Sequence, residues 1–235
     1  MITYTTDQID TANKYFPDIV IDGNYIKNNC IKIVIDDLTL ILSHISKSTE
    51  NSGTQIIENI ISLAKELNLK QIKLTDLSLV YLEDKLSKCV FNLSNYYILT
   101  TEESWYNKYG FYSKSHSSDF THNNRIRQLT LEEFSKKGVE KKNIIKLTDK
   151  YKELSQKQLE EIKRLSEQAA LKFKMEFFTE FLEFDPTTSI GEIFNIIKQN
   201  YRLTTCTDKK TDMIIKLVNL SWYLFEYTPE LIKII

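Results

Sequence analysis

The sequence predicts an α/β (α+β) domain over residues 1–140 followed by a mainly α-helical C-terminal domain over 141–235. Three observations carry this reading. Two β-branched and leucine-rich runs, Cys30 to Ile35 and Leu38 to Ile45, flank Asp36-Asp37, and a loop, an amphipathic stretch and a third short run follow. Beyond Phe120 the apolar pattern has the helical period throughout. With 235 residues, 42% hydrophobic and 27% charged, the chain can bury a core for one large domain or two small ones.

In chain order, Met1 to Lys14 is polar, with a short helix possible at Asp7 to Asp10. Ile19-Val20-Ile21 reads as a brief strand closed by Asp22-Gly23, a turn pair that tolerates positive φ. Cys30 to Ile35 and Leu38 to Ile45 then form a hairpin across Asp36-Asp37. The two-residue period puts Leu38, Leu40, Leu42 and His44 on one side. Ser52 with Gln55 is a capping box opening a helix whose apolar stripe is Ile56, Ile57, Ile60, Leu63, Ala64 and Leu67, and Asn68 suits a left-handed end. Gln71 to Thr75 is a strand parallel to the one before that helix, completing a βαβ unit.

Asp76 to Lys88 is ambiguous, with Asp84 and Ser87 as turn candidates. Cys89 to Leu99 is left open, a strand followed by a short helix being one reading of it. Trp105 to Tyr109 looks helical, Gly110 ends it, and Phe111-Tyr112 starts a strand. The second half holds capping boxes at Thr130/Glu133, Ser155/Gln158 and Ser189/Glu192. The long helix opened by Ser155 has the stripe Leu159, Ile162, Leu165, Ala169, Phe173 and Phe177. Asp212 to Tyr227 is the last helix, and Leu231 to Ile235 is an apolar terminus either docked on the helices or free for a partner. The domain boundary falls near Gly138 to Thr148.

Composition narrows the function classes. The formal net charge is -1 and the pI about 6.4, so no global field steers the chain to nucleic acid or an anionic membrane. Arginine occurs only at Arg125, Arg127, Arg164 and Arg202, which argues against sequence-specific nucleic-acid recognition. The lysine, isoleucine and asparagine excess fits an AT-rich coding sequence. Cys30, Cys89 and Cys206 are odd in number and far apart, which reads as reduced, buried thiols in a cytosolic protein. No leader pattern and no run of ~18 apolar residues is present, so a cytoplasmic location without membrane attachment is expected. His116 and His122, with Asp119 between them, lie in a polar loop at a spacing that fits no standard metal site.

The order strand, hairpin, loop, helix, strand, followed by Trp105-Tyr106-Asn107-Lys108-Tyr109-Gly110-Phe111, resembles the GNAT family of acyl-CoA N-acyltransferases. It is also similar to GNAT-like proteins of giant DNA viruses, which would place the chain in host cytoplasm or virion. The resemblance covers roughly Ile19 to Tyr112 and implies a GNAT-like mixed β-sheet with helices. In that family an Arg/Gln-x-x-Gly-x-Gly/Ala loop binds the CoA pyrophosphate. Here the loop is Ser48-Thr49-Glu50-Asn51-Ser52-Gly53: Gly53 matches the last glycine, Asn51 replaces the middle one, and the first position is not matched.

By the resemblance, Asn51, Ser52, Gly53 and Thr54 hold the cosubstrate acetyl-CoA, without a metal. Helix-start amides and the dipole behind them favour a diphosphate. Glu50 adds repulsion unless it points away. Tyr106, matching Tyr-x-x-x-Gly-Phe with Gly110 and Phe111, would protonate the leaving thiolate. The base is unassigned between His44 at a strand end, Asp76 after the next strand, and a relayed water. The acceptor would be an amine-bearing small molecule or protein. The alternative is a catalytically inactive GNAT-like scaffold, a structural or interaction protein whose helical domain meets a protein partner. Plain packing or capping is the competing account of Tyr106, His44, Asp76 and the loop.

Overall fold

The computed structural model describes residues 2–46, 52–83, 88–150 and 153–235, and within them the polar N-terminus is already helical. Thr5 and Gln8 close a capping box on α1 (Thr6–Tyr15), whose buried Ala12 faces inward. The chain is mixed α/β, with eight α-helices and a mixed six-stranded sheet among the described residues. It separates into two units that interleave in sequence: Met1–Asp76, Tyr106–Lys114 and Thr228–Ile235 form the first, Leu77–Trp105 and Ser115–Tyr227 the second. The stretch from 138 to 148, where sequence placed a boundary, lies inside one continuous helix of the second unit, α5 (Leu131–Thr148). No helix among the described residues is long and apolar enough to cross a membrane.

In the first unit β1 (Val20–Asp22) turns through Gly23, at φ 59°, into β2 (Tyr25–Lys27), giving a small hairpin where sequence supplied one brief strand. Next come β3 (Ile31–Asp36), β4 (Thr39–Ile45), α2 (Gly53–Glu66) and β5 (Gln71–Thr75). The last strand, β8 (Glu230–Ile234), returns to the sheet edge, and the strand order is β1-β2-β3-β4-β5-β8. All pairs are antiparallel except β4 with β5, as the βαβ reading requires. Ile31, Ile33, Ile35, Leu40, Leu42, Ile72, Leu74 and Leu231 are buried, as are Ile56, Ile57, Ile60, Leu63 and Ala64 of α2, which packs on β4 and β5. Asn68 takes φ 53° just past the helix, as its side chain permits.

The C-terminal residues are a correction. Leu231 to Ile235 was expected on the helices or free, but Glu230–Ile234 pairs with β5 along its whole length, from Thr75↔Glu230 to Gln71↔Ile234. The expected strand at Phe111-Tyr112 reduces to one bridge, Tyr112↔Ile232.

The second unit begins with a hairpin of its own, β6 (Leu79–Glu83) with β7 (Lys88–Asn92); the turn candidates Asp84 and Ser87 lie outside the described residues. Asn92 then caps α3 (Leu93–Thr101). α4 (His116–Arg127) is a helix where a polar loop was expected, so His116, Asp119 and His122 are helical residues. α5, α6 (Gln156–Glu180) and α7 (Ile190–Asn200) each start on the capping box read from sequence.

The stripe of α6 is rotated from its expected position. Leu159 and Leu165 are 39% and 43% exposed, while Ile162, Ser166, Ala170 and Phe177 are buried. α6 packs along α5, and the buried Ser166 hydroxyl donates within α6 to Ile162 O at 2.7 Å. α8 (Lys209–Ser221) starts on Asp208 and stops six residues before Tyr227, the expected end. Asn123 explains the stop: its Nδ2 donates to Glu226 O and its Oδ1 accepts from Glu226 N, so this segment's backbone groups are satisfied without a helix.

Cys89 and Cys206 form a disulfide, with Cα atoms 5.9 Å apart, and Cys30 alone is a free buried thiol. This overturns the reading of three reduced thiols. A pairing across 117 residues is set by the fold and leaves no mark in local sequence.

Candidate functional site

The candidate site belongs to the first unit and is built where β4 hands the chain to α2. Pairing between β4 and β5 ends at Leu42↔Leu74, although β4 runs to Ile45 and β5 to Thr75. On its other side β4 carries a bulge: Lys32 faces His44 while the next residue, Ile33, faces Leu42. The ladder to β5 therefore stops at the carboxyl ends of two parallel strands. Open α/β sheets bind ligands in that region.

The bulge also decides where His44 goes. An extra residue, Ser43, breaks the two-residue alternation, and both Ser43 and His44 are exposed. His44 is thus off the buried face that Leu40 and Leu42 share, contrary to the expected common side, and Leu38 is exposed as well. The His44 Nε2 lies 2.6 Å from Ser46 Oγ. Asp76 directly follows β5. It is only 2% exposed, and its backbone N–H donates to Pro229 O at 2.8 Å, fixing it between β5 and the start of the returning C-terminal segment.

α2 opens on its own side chains. Ser52 Oγ accepts from Gln55 N, and Gln55 Oε1 accepts from Ser52 N at 2.8 Å, which leaves Gly53 and Thr54 as the first two helical residues with the dipole behind them. The rest of the expected loop, Ser48 to Asn51 with Glu50, lies outside the described residues. The far end of α2 is clasped to α1. Glu66 accepts from Tyr15 Oη at 2.7 Å and from Lys14 Nζ at 2.9 Å, and these bonds hold its carboxyl below the usual range.

The segment Tyr106 to Tyr112 is a tight turn rather than a helix. Asn107–Tyr109 is one 3-10 turn, Gly110 closes it at φ 82°, and Asn107 Nδ2 donates to Phe111 O at 2.8 Å. Only glycine takes that φ without strain. A Cβ at Gly110 would also lie 2.8 Å from Lys233 Nζ on β8. Phe111 is fully buried, and the Tyr106 ring meets it edge-on at 6.1 Å between centroids.

Tyr106 itself is 7% exposed. The tyrosine that reaches the helix start is Tyr109, whose hydroxyl donates to Thr54 Oγ1 at 2.9 Å, with Lys108 Nζ 4.7 Å from its ring centroid. Sequence reading had placed Tyr109 at the end of the helical-looking stretch Trp105 to Tyr109 and given it no role. No local signal sets it apart from its aromatic neighbours Trp105, Tyr106 and Phe111.

No known family, curated protein or solved structure matches the chain. Among the described residues no group of three or more His, Cys, Asp or Glu is placed to hold a metal ion. Around the Tyr109–Thr54 bond the first unit brings together the start of α2, two hydroxyl groups and, at the Gly110 turn, Lys108 and Lys233. Such a set favours an anionic ligand over a cation.

Proposed function

We propose that the first unit binds acyl-CoA and transfers the acetyl group of acetyl-CoA to an amine on a small molecule or protein, on a GNAT-like arrangement of its sheet. The observation that carries this reading is the Tyr109–Thr54 hydrogen bond, which joins the Tyr106-x-x-x-Gly110-Phe111 segment to the first turn of α2. The diphosphate would lie at the amides of Gly53 and Thr54, with Asn51 and Ser52 on its approach, where the dipole of a fourteen-residue helix is positive.

In the transfer, the neutral amine nitrogen attacks the thioester carbonyl carbon, the C–S bond breaks, and a base takes the proton lost by nitrogen. His44 and Asp76, at the ends of β4 and β5, are the two side chains proposed as that base. The Tyr106 hydroxyl gives its proton to the departing thiolate. Its burial suits a group that acts beside an enclosed thioester, since a donor shielded from water acts more strongly.

A second reading is a scaffold without catalysis, serving as a structural or interaction protein through its helical part. Two observations favour it: Ser52 and Gln55 satisfy part of the α2 start with the chain's own groups, and the Tyr106 ring packs on Phe111. Calorimetric titration of the full chain with acetyl-CoA and with CoA separates the two. Micromolar affinity that weakens when Gly53 becomes Trp supports the first; absence of binding at millimolar CoA leaves the scaffold. If binding holds, Tyr106→Phe should lower turnover with the fold intact, and unchanged turnover removes the proton donor role.

A further inference from the structure

The β6–β7 hairpin of the second unit packs on α3 and α8, with Asn219 Nδ2 donating to Val90 O, and it is anchored at its two ends in ways that differ in kind. At its base, Leu93 N donates to Ser78 O, and Asn92 caps α3 through its side chain. Toward its other end, beside the Leu82↔Cys89 pair, the Cys89–Cys206 disulfide ties it to the irregular segment between α7 and α8. That segment is otherwise held by Leu203, which packs on the helical core, and by short-range polar contacts: Thr204 N donates to Thr211 Oγ1 at 3.2 Å, and Asp208 caps α8.

The hairpin's inner face, with Val80, Leu82, Cys89 and Phe91, meets the helical core, while Leu79 and Tyr81 point outward and are exposed. An isolated two-stranded hairpin is marginal in water. At this end of it the covalent anchor adds to the packing of Leu82 on the core. Both cysteines are half-buried.

We propose that Cys89–Cys206 is a redox clamp: closed, it pins the outer half of the hairpin and the 203–207 segment to the core; open, it releases both while the helices stay folded. Opening is thiol–disulfide exchange. A glutathione thiolate bonds to one cysteine sulfur and displaces the other as a thiolate. A second glutathione thiolate then attacks the mixed disulfide, so two glutathione thiols are oxidised to one disulfide and both cysteines end as thiols after taking up two protons.

The test uses the full chain in glutathione buffers from fully oxidised to millimolar reduced glutathione, with alkylation mass counting thiols and amide exchange read by mass spectrometry. The expected result is one free thiol in oxidised buffer and three in reduced buffer. Exchange at 80–82, 89–91 and 203–207 should then be faster by about tenfold or more, α5 and α6 unchanged, and protection restored on reoxidation. The variant Cys89→Ser/Cys206→Ser should show the reduced pattern in every buffer. Three thiols even in oxidised buffer would overturn the clamp, as would a bond that millimolar glutathione leaves intact. Unchanged exchange after reduction, or loss of protection across the whole second unit, would also overturn it.

Discussion

Replacing Gly110 tests the turn that carries Tyr109 to Thr54, and two costs compete there. The first is backbone: at φ 82° and ψ 25° a residue with a Cβ is strained by about 1–2 kcal/mol, partly offset by about 0.4–1 kcal/mol because the unfolded chain loses freedom when glycine is removed. The second is the 2.8 Å approach of a Cβ to Lys233 Nζ, the far end of a flexible side chain that can swing away. Backbone strain should win, so Gly110→Ala should destabilise the first unit by about 1 kcal/mol. Gly110→Asn should cost less, although asparagine is larger, because its side chain tolerates the left-handed region.

Trp105 and Trp222 both belong to the second unit, so tryptophan emission is not the reporter for this change. Amide exchange at Tyr112 and Ile232, which exchange two backbone hydrogen bonds at 2.9 Å, is. Lys233→Ala should not rescue Gly110→Ala. An asparagine variant less stable than the alanine variant, or full rescue by Lys233→Ala, would show that crowding and not φ sets the requirement for glycine.

Other expectations follow from the same kind of reasoning. Arg127 is buried, donating from Nε to Leu99 O and from Nη1 to Glu102 Oε1 at 2.7 Å, so Arg127→Ala should cost about 3 kcal/mol in a tryptophan-monitored urea titration. Glu102 caps α3 at φ 74° and its side chain is 50% exposed, so Glu102→Ala should lose about 0.5–1 kcal/mol, while Glu102→Gly, which relieves the φ, should be nearly neutral. Equal losses for the two would refute the strain at Glu102. Tyr109→Phe removes the bond to Thr54 and should cost about 0.5–1.5 kcal/mol, with faster exchange in the first turn of α2 as the readout. The bond from Thr130 N, then that from Thr130 Oγ1, holds the Glu133 carboxyl below its ordinary value. Because the folded value is depressed, this capping stability is complete above pH 4.5 and is lost as pH falls through the lower folded value. Glu133→Gln should flatten stability in that window, which acid titration followed by circular dichroism would read.

Helix starts were the most legible feature of this sequence, for a physical reason. A capping box is decided by residues three apart, so Ser52/Gln55, Thr130/Glu133, Ser155/Gln158 and Ser189/Glu192 announce themselves locally, and all four are formed. Helix faces were less legible. The buried positions of α6 include Ser166 and Ala170, small residues that a search for large apolar side chains passes over, while Leu159 and Leu165, assigned inward, are exposed.

The candidate site shows the same divide between local and distant causes. Gly110 was readable as a helix stop because its left-handed conformation is a property of the residue, and Asn68 likewise. His44 was misplaced because a bulge adds one residue to β4 and cancels the period on which its assignment rested. The meeting of Tyr109 with Thr54 joins residues 55 apart through two hydroxyls, a pairing that no composition or period encodes. The same holds for β8, which completes the sheet from the far end of the chain, and whose Lys233 approaches Gly110. A first unit assembled from three separate stretches cannot be cut from the sequence at one boundary. A truncation at residue 140 would remove β8 from the edge of β5 and should expose Leu74, so amide protection of β5 should fall in that fragment. Protection of β5 equal to that in the full chain would mean that the sheet is complete without its C-terminal strand, and that Lys233 is dispensable to the turn beneath it.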